Sequence, residues 1–178
     1  MRPLGVAAIA VWAIIVGGSL ALVKMNAGAD AASAPAASSA PPLVHGVNFQ
    51  IKSVIDETFC MEANGPAATT PAVQLVQCTG RVEQRWTVTD GANGSSVVVG
   101  KGGMCWDVDH SVKGPKPLQV SACTYRGNQR FTATPAGLLM EVESGECLTV
   151  VAATTSGAVF LDRCQDPAIQ AQLWRLAQ

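Results

Sequence analysis

Charge is scarce in this chain of 178 residues. Asp, Glu, Lys and Arg together make up 14%, and the formal net charge is −1. No basic stretch stands out, which excludes nucleic acid as the expected partner. There are only two histidines, His45 and His110. A Ser-His-Asp set would have to use His110, and no Gly-x-Ser-x-Gly turn is present to hold a nucleophile. The cysteines show no C-x₂-C spacing and no H-x₃-H accompanies them, so a zinc module of that kind is excluded. Asp107, Asp109 and His110 form one short cluster without further ligands, and neither a metal nor a cofactor is expected. Gly100-Lys101-Gly102-Gly103 lacks the Ser or Thr after the lysine that a phosphate loop needs, and reads as a turn between strands. After residue 46 no long helix-period apolar pattern occurs.

What is present begins with an apolar run from Leu4 to Val23, preceded by Arg2. At 20 residues it is long enough to cross a bilayer. Ala27-Gly28-Ala29 offers the small residues that suit signal cleavage. Residues 1–29 therefore read as a signal peptide or an N-terminal membrane anchor, and either places the rest outside the cytosol, secreted or held at the outer face of the membrane. Residues 30–46 are mostly Ala, Ser and Pro and read as a disordered linker, with His45 as a solvated residue near its end. Extended at roughly 3.1 Å per residue, such a linker reaches about 50 Å.

Residues 47–178 are organised by a triplet. Gln84-Arg85-Trp86 recurs as Gln129-Arg130-Phe131 and as Gln172-Leu173-Trp174, at separations of 45 and 43 residues. Each copy follows two cysteines: Cys60 and Cys78, Cys105 and Cys123, Cys147 and Cys164, with separations of 18, 18 and 17. A fixed period of this size signals a repeat architecture, here with units of about 47–92, 93–135 and 136–178. Each unit carries short alternating runs separated by turn residues, giving an all-β domain of about twelve strands with pseudo-threefold symmetry. A Gln and an aromatic two residues apart share a face of a strand, so Trp86, Phe131 and Trp174 are expected to pack together as core. Six evenly paired cysteines read as three disulfides in an oxidising compartment. Sequence does not fix their connectivity, although the repeat makes pairing within each unit the most economical.

Cys-x-Asp-Val, then Leu-Gln-Val-x-x-Cys, then Asn-Gln-x-aromatic resembles the ricin B-type lectin repeat. The resemblance covers residues 47–178, and the layout is similar to that of small exported actinobacterial lectins. It implies a β-trefoil, the disulfides Cys60–Cys78, Cys105–Cys123 and Cys147–Cys164, and binding of a carbohydrate or glycan without catalysis. It also implies a site in each unit: an acid two residues after the first Cys, a Gln four before the second, an aromatic two before it, and an Asn-Gln pair at the triplet.

Unit two keeps Asp107, Gln119, Asn128 and Gln129 but has Ser121 at the stacking position. His110 or Tyr125 is the candidate replacement face. Unit one keeps a weaker set, Glu62, Gln74 and Gln84, with Val76 for the aromatic and Glu83 for Asn. Unit three has Thr149, Phe160, Asp162 and Ala171, and has lost the acid and the Gln. The resemblance points to galactose- or xylose-type sugars. The alternative is a trefoil that has lost sugar recognition and serves as a scaffold for a protein partner. Membrane attachment would run through residues 4–23.

Overall fold

The computed structural model describes residues 43–64 and 72–178. The apolar segment and nearly all of the linker lie outside the described residues. In the first unit, β1 is Gln50–Ser53, β2 Phe59–Ala63, β3 Val73–Gln77 and β4 Thr87–Asp90. In the second, β5 is Ser96–Val99, β6 Met104–Val108 and β7 Lys116–Ala122, followed by β8, Phe131–Ala133. In the third, β9 is Leu139–Glu141, β10 Cys147–Val150, β11 Gly157–Asp162 and β12 Trp174–Ala177. Burial alternates where the sequence alternates. Val73 and Leu75 of β3 are buried while Gln74 and Val76 are half-buried, and Leu118 and Val120 of β7 repeat the pattern.

Three hairpins have matching registers. Glu62 lies opposite Gln74 in β2–β3, Asp107 opposite Gln119 in β6–β7, and Thr149 opposite Phe160 in β10–β11. The hairpins meet one another: Gln74 pairs with Ala158, Phe160 with Pro117, and Ala72 with Gln119. The remaining strands pair as β1–β12, β4–β5 and β8–β9. Three equivalent hairpins closing on each other above paired strands make a β-trefoil.

The disulfides join Cys60 to Cys78, Cys105 to Cys123 and Cys147 to Cys164, each with Cα atoms 5.0 Å apart. Each ties the start of a hairpin to the chain just after it. By the chain-entropy argument, closing a loop of this length contributes up to about 3 kcal/mol.

One expectation needs correction. The glutamines do not share a strand with the aromatics. Gln84, Gln129 and Gln172 each end a 3-10 turn, at Val82–Gln84, Gly127–Gln129 and Gln170–Gln172. The turn aims each amide back at the loop after the second cysteine. Gln84 Oε1 accepts from Thr79 N and Gly80 N, Gln129 Oε1 from Thr124 N and Tyr125 N, and Gln172 Oε1 from Gln165 N. Their Nε2 groups donate to Gln77 O, Ala122 O and Arg163 O. The three glutamines are almost wholly buried, so these bonds satisfy groups that water does not reach. The triplet recurs because each unit must clamp the same loop.

Trp86, Phe131 and Trp174 are buried in one core, as expected, and Trp106 joins them there. Trp86 and Phe131 are joined through Trp106, with ring centroids 5.4 and 5.3 Å apart in edge-to-face contacts. Trp174 is buried and donates through Nε1 to Leu148 O, as Trp86 does to Met61 O. His45 is exposed, as expected of a solvated residue, and its Nδ1 lies 2.7 Å from Asp90 Oδ1, with Gly46 N donating to Val88 O beside it. The chain is thus docked on β4 before residue 47.

Candidate functional site

Asp107 leaves β6 directly across from Gln119 of β7, so the hairpin register alone places an acid beside an amide. Gln119 Nε2 donates to Asp107 Oδ1 at 3.1 Å. The other oxygen, Oδ2, accepts from Gln129 Nε2 at 2.7 Å and from Asn128 Nδ2 at 3.2 Å. Asn128 Nδ2 also donates to Val108 O, which fixes its amide plane. Three amides thus hold one carboxylate in place. Bonds to a charged acceptor are the stronger kind, so Asp107 is pre-organised. Asp107, Gln119 and Asn128 remain half-buried, and the side-chain oxygens of Gln119 and Asn128 accept no hydrogen bond among the described residues.

These groups open into a cleft of about 330 Å³, lined by Asp107, Val108, Asp109, His110, Gln119, Arg126, Asn128 and Glu143. Asp109 accepts at Oδ1 from Ser111 Oγ and Ser111 N, which bends the chain after β6 and turns His110 into the wall. The same hydrogen bonds, the hydroxyl's first, hold the Asp109 carboxyl below the ordinary aspartate range.

The structure brings Asp107, Gln119, Asn128, Gln129 and His110 together. Gln129 differs from the others in kind: it is fully buried and its amide is fully used, so it positions Asp107 and reaches no ligand itself. Ser121 does not stack either, since its hydroxyl accepts from Gln129 Nε2 at 3.1 Å. Tyr125, expected as a replacement face, is exposed and does not line the cleft. Its φ of +58° occupies the position where unit one has Gly80 at +72°.

Arg126 and Glu143 were missed by the reading of the sequence. Arg126 sits two residues before Asn128, which is a signal of proximity. Glu143 belongs to unit three, and nothing in the repeat points to it. It reaches the cleft because Gly127 has no side chain; a Cβ there would lie 2.8 Å from Glu143 Oε2.

Unit one builds part of the same arrangement. Gln84 Nε2 donates to Glu62 Oε2 at 3.0 Å, and Gln74 faces Glu62 across the hairpin. Glu83, standing where unit two has Asn128, is drawn away by Lys101 at 2.6 Å. Gln84 is fully buried, so like Gln129 it supports the acid from behind. In unit three Thr149 takes the acid's place. Its Oγ1 accepts from Gln172 Nε2 at 2.9 Å and donates to Cys147 O. The clamp survives there without a carboxylate.

Asp107 and Asp109, neighbours of His110 in the chain, do not group with it as metal ligands among the described residues. The tertiary structure groups His110 instead with Glu141 and Glu143, with ligand atoms within 4.8 Å of one another.

The family model of the ricin-type beta-trefoil lectin domain matches residues 47–177. The chain belongs to this family. Membership in a lectin family supports carbohydrate recognition as the general class of activity, and binding rather than catalysis as its usual mode.

No curated protein matches the chain in sequence. Among solved structures, the designed three-fold symmetric protein ThreeFoil superposes with a TM-score of 0.67 at 16% identity, over 74% of this chain and 98% of that one. The Rhizoctonia solani agglutinin gives 0.64 at 16% identity, over 78% and 99%. The Polyporus squamosus lectin, bound to Neu5Acα2-6Galβ1-4GlcNAc, gives 0.63 at 14% identity, over 75% and 49%. Other matches carry the trefoil within longer chains, of which this lectin-family chain spans 17%, 48% and 31%. At these identities the likeness carries the fold alone.

Proposed function

We propose that this protein is an exported lectin that binds neutral galactose- or xylose-type sugars in the unit-two cleft, without breaking a bond. The observation that carries the reading is the Asp107 carboxylate, held by Gln119, Asn128 and Gln129 at the floor of that cleft. Asp107 Oδ1 keeps one acceptor position for a sugar hydroxyl, and the amide oxygens of Asn128 and Gln119 can accept from neighbouring hydroxyls. Three carboxylates against one guanidinium make the cleft net negative, which favours uncharged sugars over acidic ones.

Without a stacking aromatic, affinity is expected on the order of millimolar. Useful binding would then rest on multivalency, supplied by clustering on a membrane through residues 4–23. Export is in keeping with three disulfides and the apolar N-terminal run.

Isothermal titration of the full, oxidised chain with galactose, lactose and xylo-oligosaccharides tests this. Saturable heat that vanishes in Asp107→Ala is the expected result. Heat that survives the substitution moves the site to another unit. Silence with every sugar favours a second reading, a trefoil scaffold for a protein partner. That reading draws on Ser121, turned to Gln129, and Thr149, which leaves unit three without an acid.

A further inference from the structure

Glu141 is fully buried, and among the described residues no Lys or Arg pairs with it. Its carboxylate accepts from Glu143 N at Oε1 and from Ser144 N and Ser144 Oγ at Oε2, which holds the turn after β9. Hydrogen bonds from neutral groups leave the charge itself uncompensated in a dry setting, a costly arrangement. The nearest positive candidate is His110, whose Nε2 lies 3.5 Å from Glu141 Oε2. That contact is not a hydrogen bond: His110 Nε2 is shielded from solvent and has no hydrogen-bond partner. The third member, Glu143, stands against Gly127 at the cleft wall.

The spacing suits an ion between the groups. Two ligands of one tetrahedral zinc, each about 2.0–2.1 Å from the metal, stand roughly 3.3–3.4 Å apart. That is close to the 3.5 Å separation of His110 Nε2 and Glu141 Oε2, a contact that makes no hydrogen bond. An imidazole in the set selects zinc-like transition cations over calcium or magnesium. The surrounding carboxylates of Asp107 and Asp109 add to the attraction.

We propose that His110, Glu141 and Glu143 form a binding site for a divalent transition cation of the zinc class. Three protein ligands of a four-coordinate ion leave one position for water or another ligand. The site joins two repeats, His110 following β6 in unit two and both glutamates coming from unit three. Binding therefore cross-links them and stabilises the fold by mass action.

The test is a zinc titration of the full, oxidised, chelator-treated chain against a chromogenic zinc indicator, paired with thermal melts. The expected result is one zinc per chain with sub-millimolar affinity and a raised melting midpoint. His110→Ala and Glu143→Gln should each weaken binding by more than the roughly 10–100-fold that loss of an outer-shell partner costs. Both residues are partly exposed, so the variants should fold, whereas Glu141 is left intact because it holds its turn. His45→Ala, which removes the other histidine, should bind as the parent does, and magnesium and calcium should not compete. Equal zinc binding by parent, His110→Ala and Glu143→Gln overturns the proposal, as does absence of sub-millimolar binding by the parent. None of these readouts depends on sugar binding.

Discussion

Gln129 Nε2 lies 2.7 Å from Asp107 Oδ2, so a fully buried amide at the end of the repeat sets the carboxylate at its beginning. Unit three shows the same clamp served by a hydroxyl, Thr149 under Gln172. Asp107→Thr copies that solution. It should keep the Gln129 bond and lose those from Gln119 and Asn128, costing about 1 kcal/mol per bond lost. Denaturant unfolding should then show a folded, mildly weakened protein, and calorimetry should show no sugar heat. Retained sugar heat would remove Asp107 from the site.

Trp86 and Trp106 are both fully buried, but among the described residues Trp86 Nε1 has a partner, Met61 O at 3.2 Å, and Trp106 Nε1 has none. Replacing each by Phe removes a similar volume. Trp86→Phe also orphans a carbonyl, whereas Trp106→Phe discards a donor that was unpaired. Trp86→Phe should therefore cost more, by about 1 kcal/mol, in equilibrium unfolding. The reverse order would mean that Trp106 Nε1 is satisfied in solution.

Tyr125 holds a left-handed backbone conformation that unit one assigns to Gly80. For a residue with a Cβ this conformation costs roughly 1–2 kcal/mol. Tyr125→Gly relieves that strain, and the extra freedom of glycine in the unfolded chain offsets part of the gain. Stability should hold or rise by up to about 1 kcal/mol, and sugar affinity should not change, since Tyr125 is outside the cleft. A drop in affinity would restore Tyr125 as a stacking face.

Asp56 Oδ1 accepts from Thr58 N at 2.9 Å and Thr58 Oγ1 at 2.8 Å. The backbone bond first, then the hydroxyl, holds its carboxyl below the ordinary value of 3.8. A group depressed on folding adds stability that is fully present above its unfolded value and is lost as pH falls through the folded one. Asp56→Asn should therefore flatten the stability profile below about pH 4 and leave it parallel to the parent above. An NMR titration midpoint at or above 3.8 for Asp56 would refute this.

Gly100 opens the Gly-Lys-Gly-Gly run, and a Cβ on it would lie 2.7 Å from Trp86 Cζ3. Its φ of −107° is open to other residues, so its reason is packing. Gly100→Ala should cost about 1–3 kcal/mol through displacement of a core ring. A neutral outcome in thermal melts would show that Trp86 can shift.

The family resemblance implied the trefoil and the acid-amide pairs, whereas the sequence by itself determined the period and the all-β class. These depend on alternation and on spacing along the chain, and hairpin register turns such spacing directly into contact, as for Asp107 and Gln119. Nothing in the triplet's spacing distinguished a glutamine on a strand from one ending a 3-10 turn, because the amide's partners lie in a loop folded back on it. Trp106 as the link between Trp86 and Phe131, and the docking of His45 on Asp90, were equally illegible, since each joins elements distant in the chain. The grouping of His110 with Glu141 and Glu143 was decided by tertiary structure alone. It exists only because closing three repeats brings the turn after β9 against the chain after β6, and Gly127 leaves room for Glu143 between them.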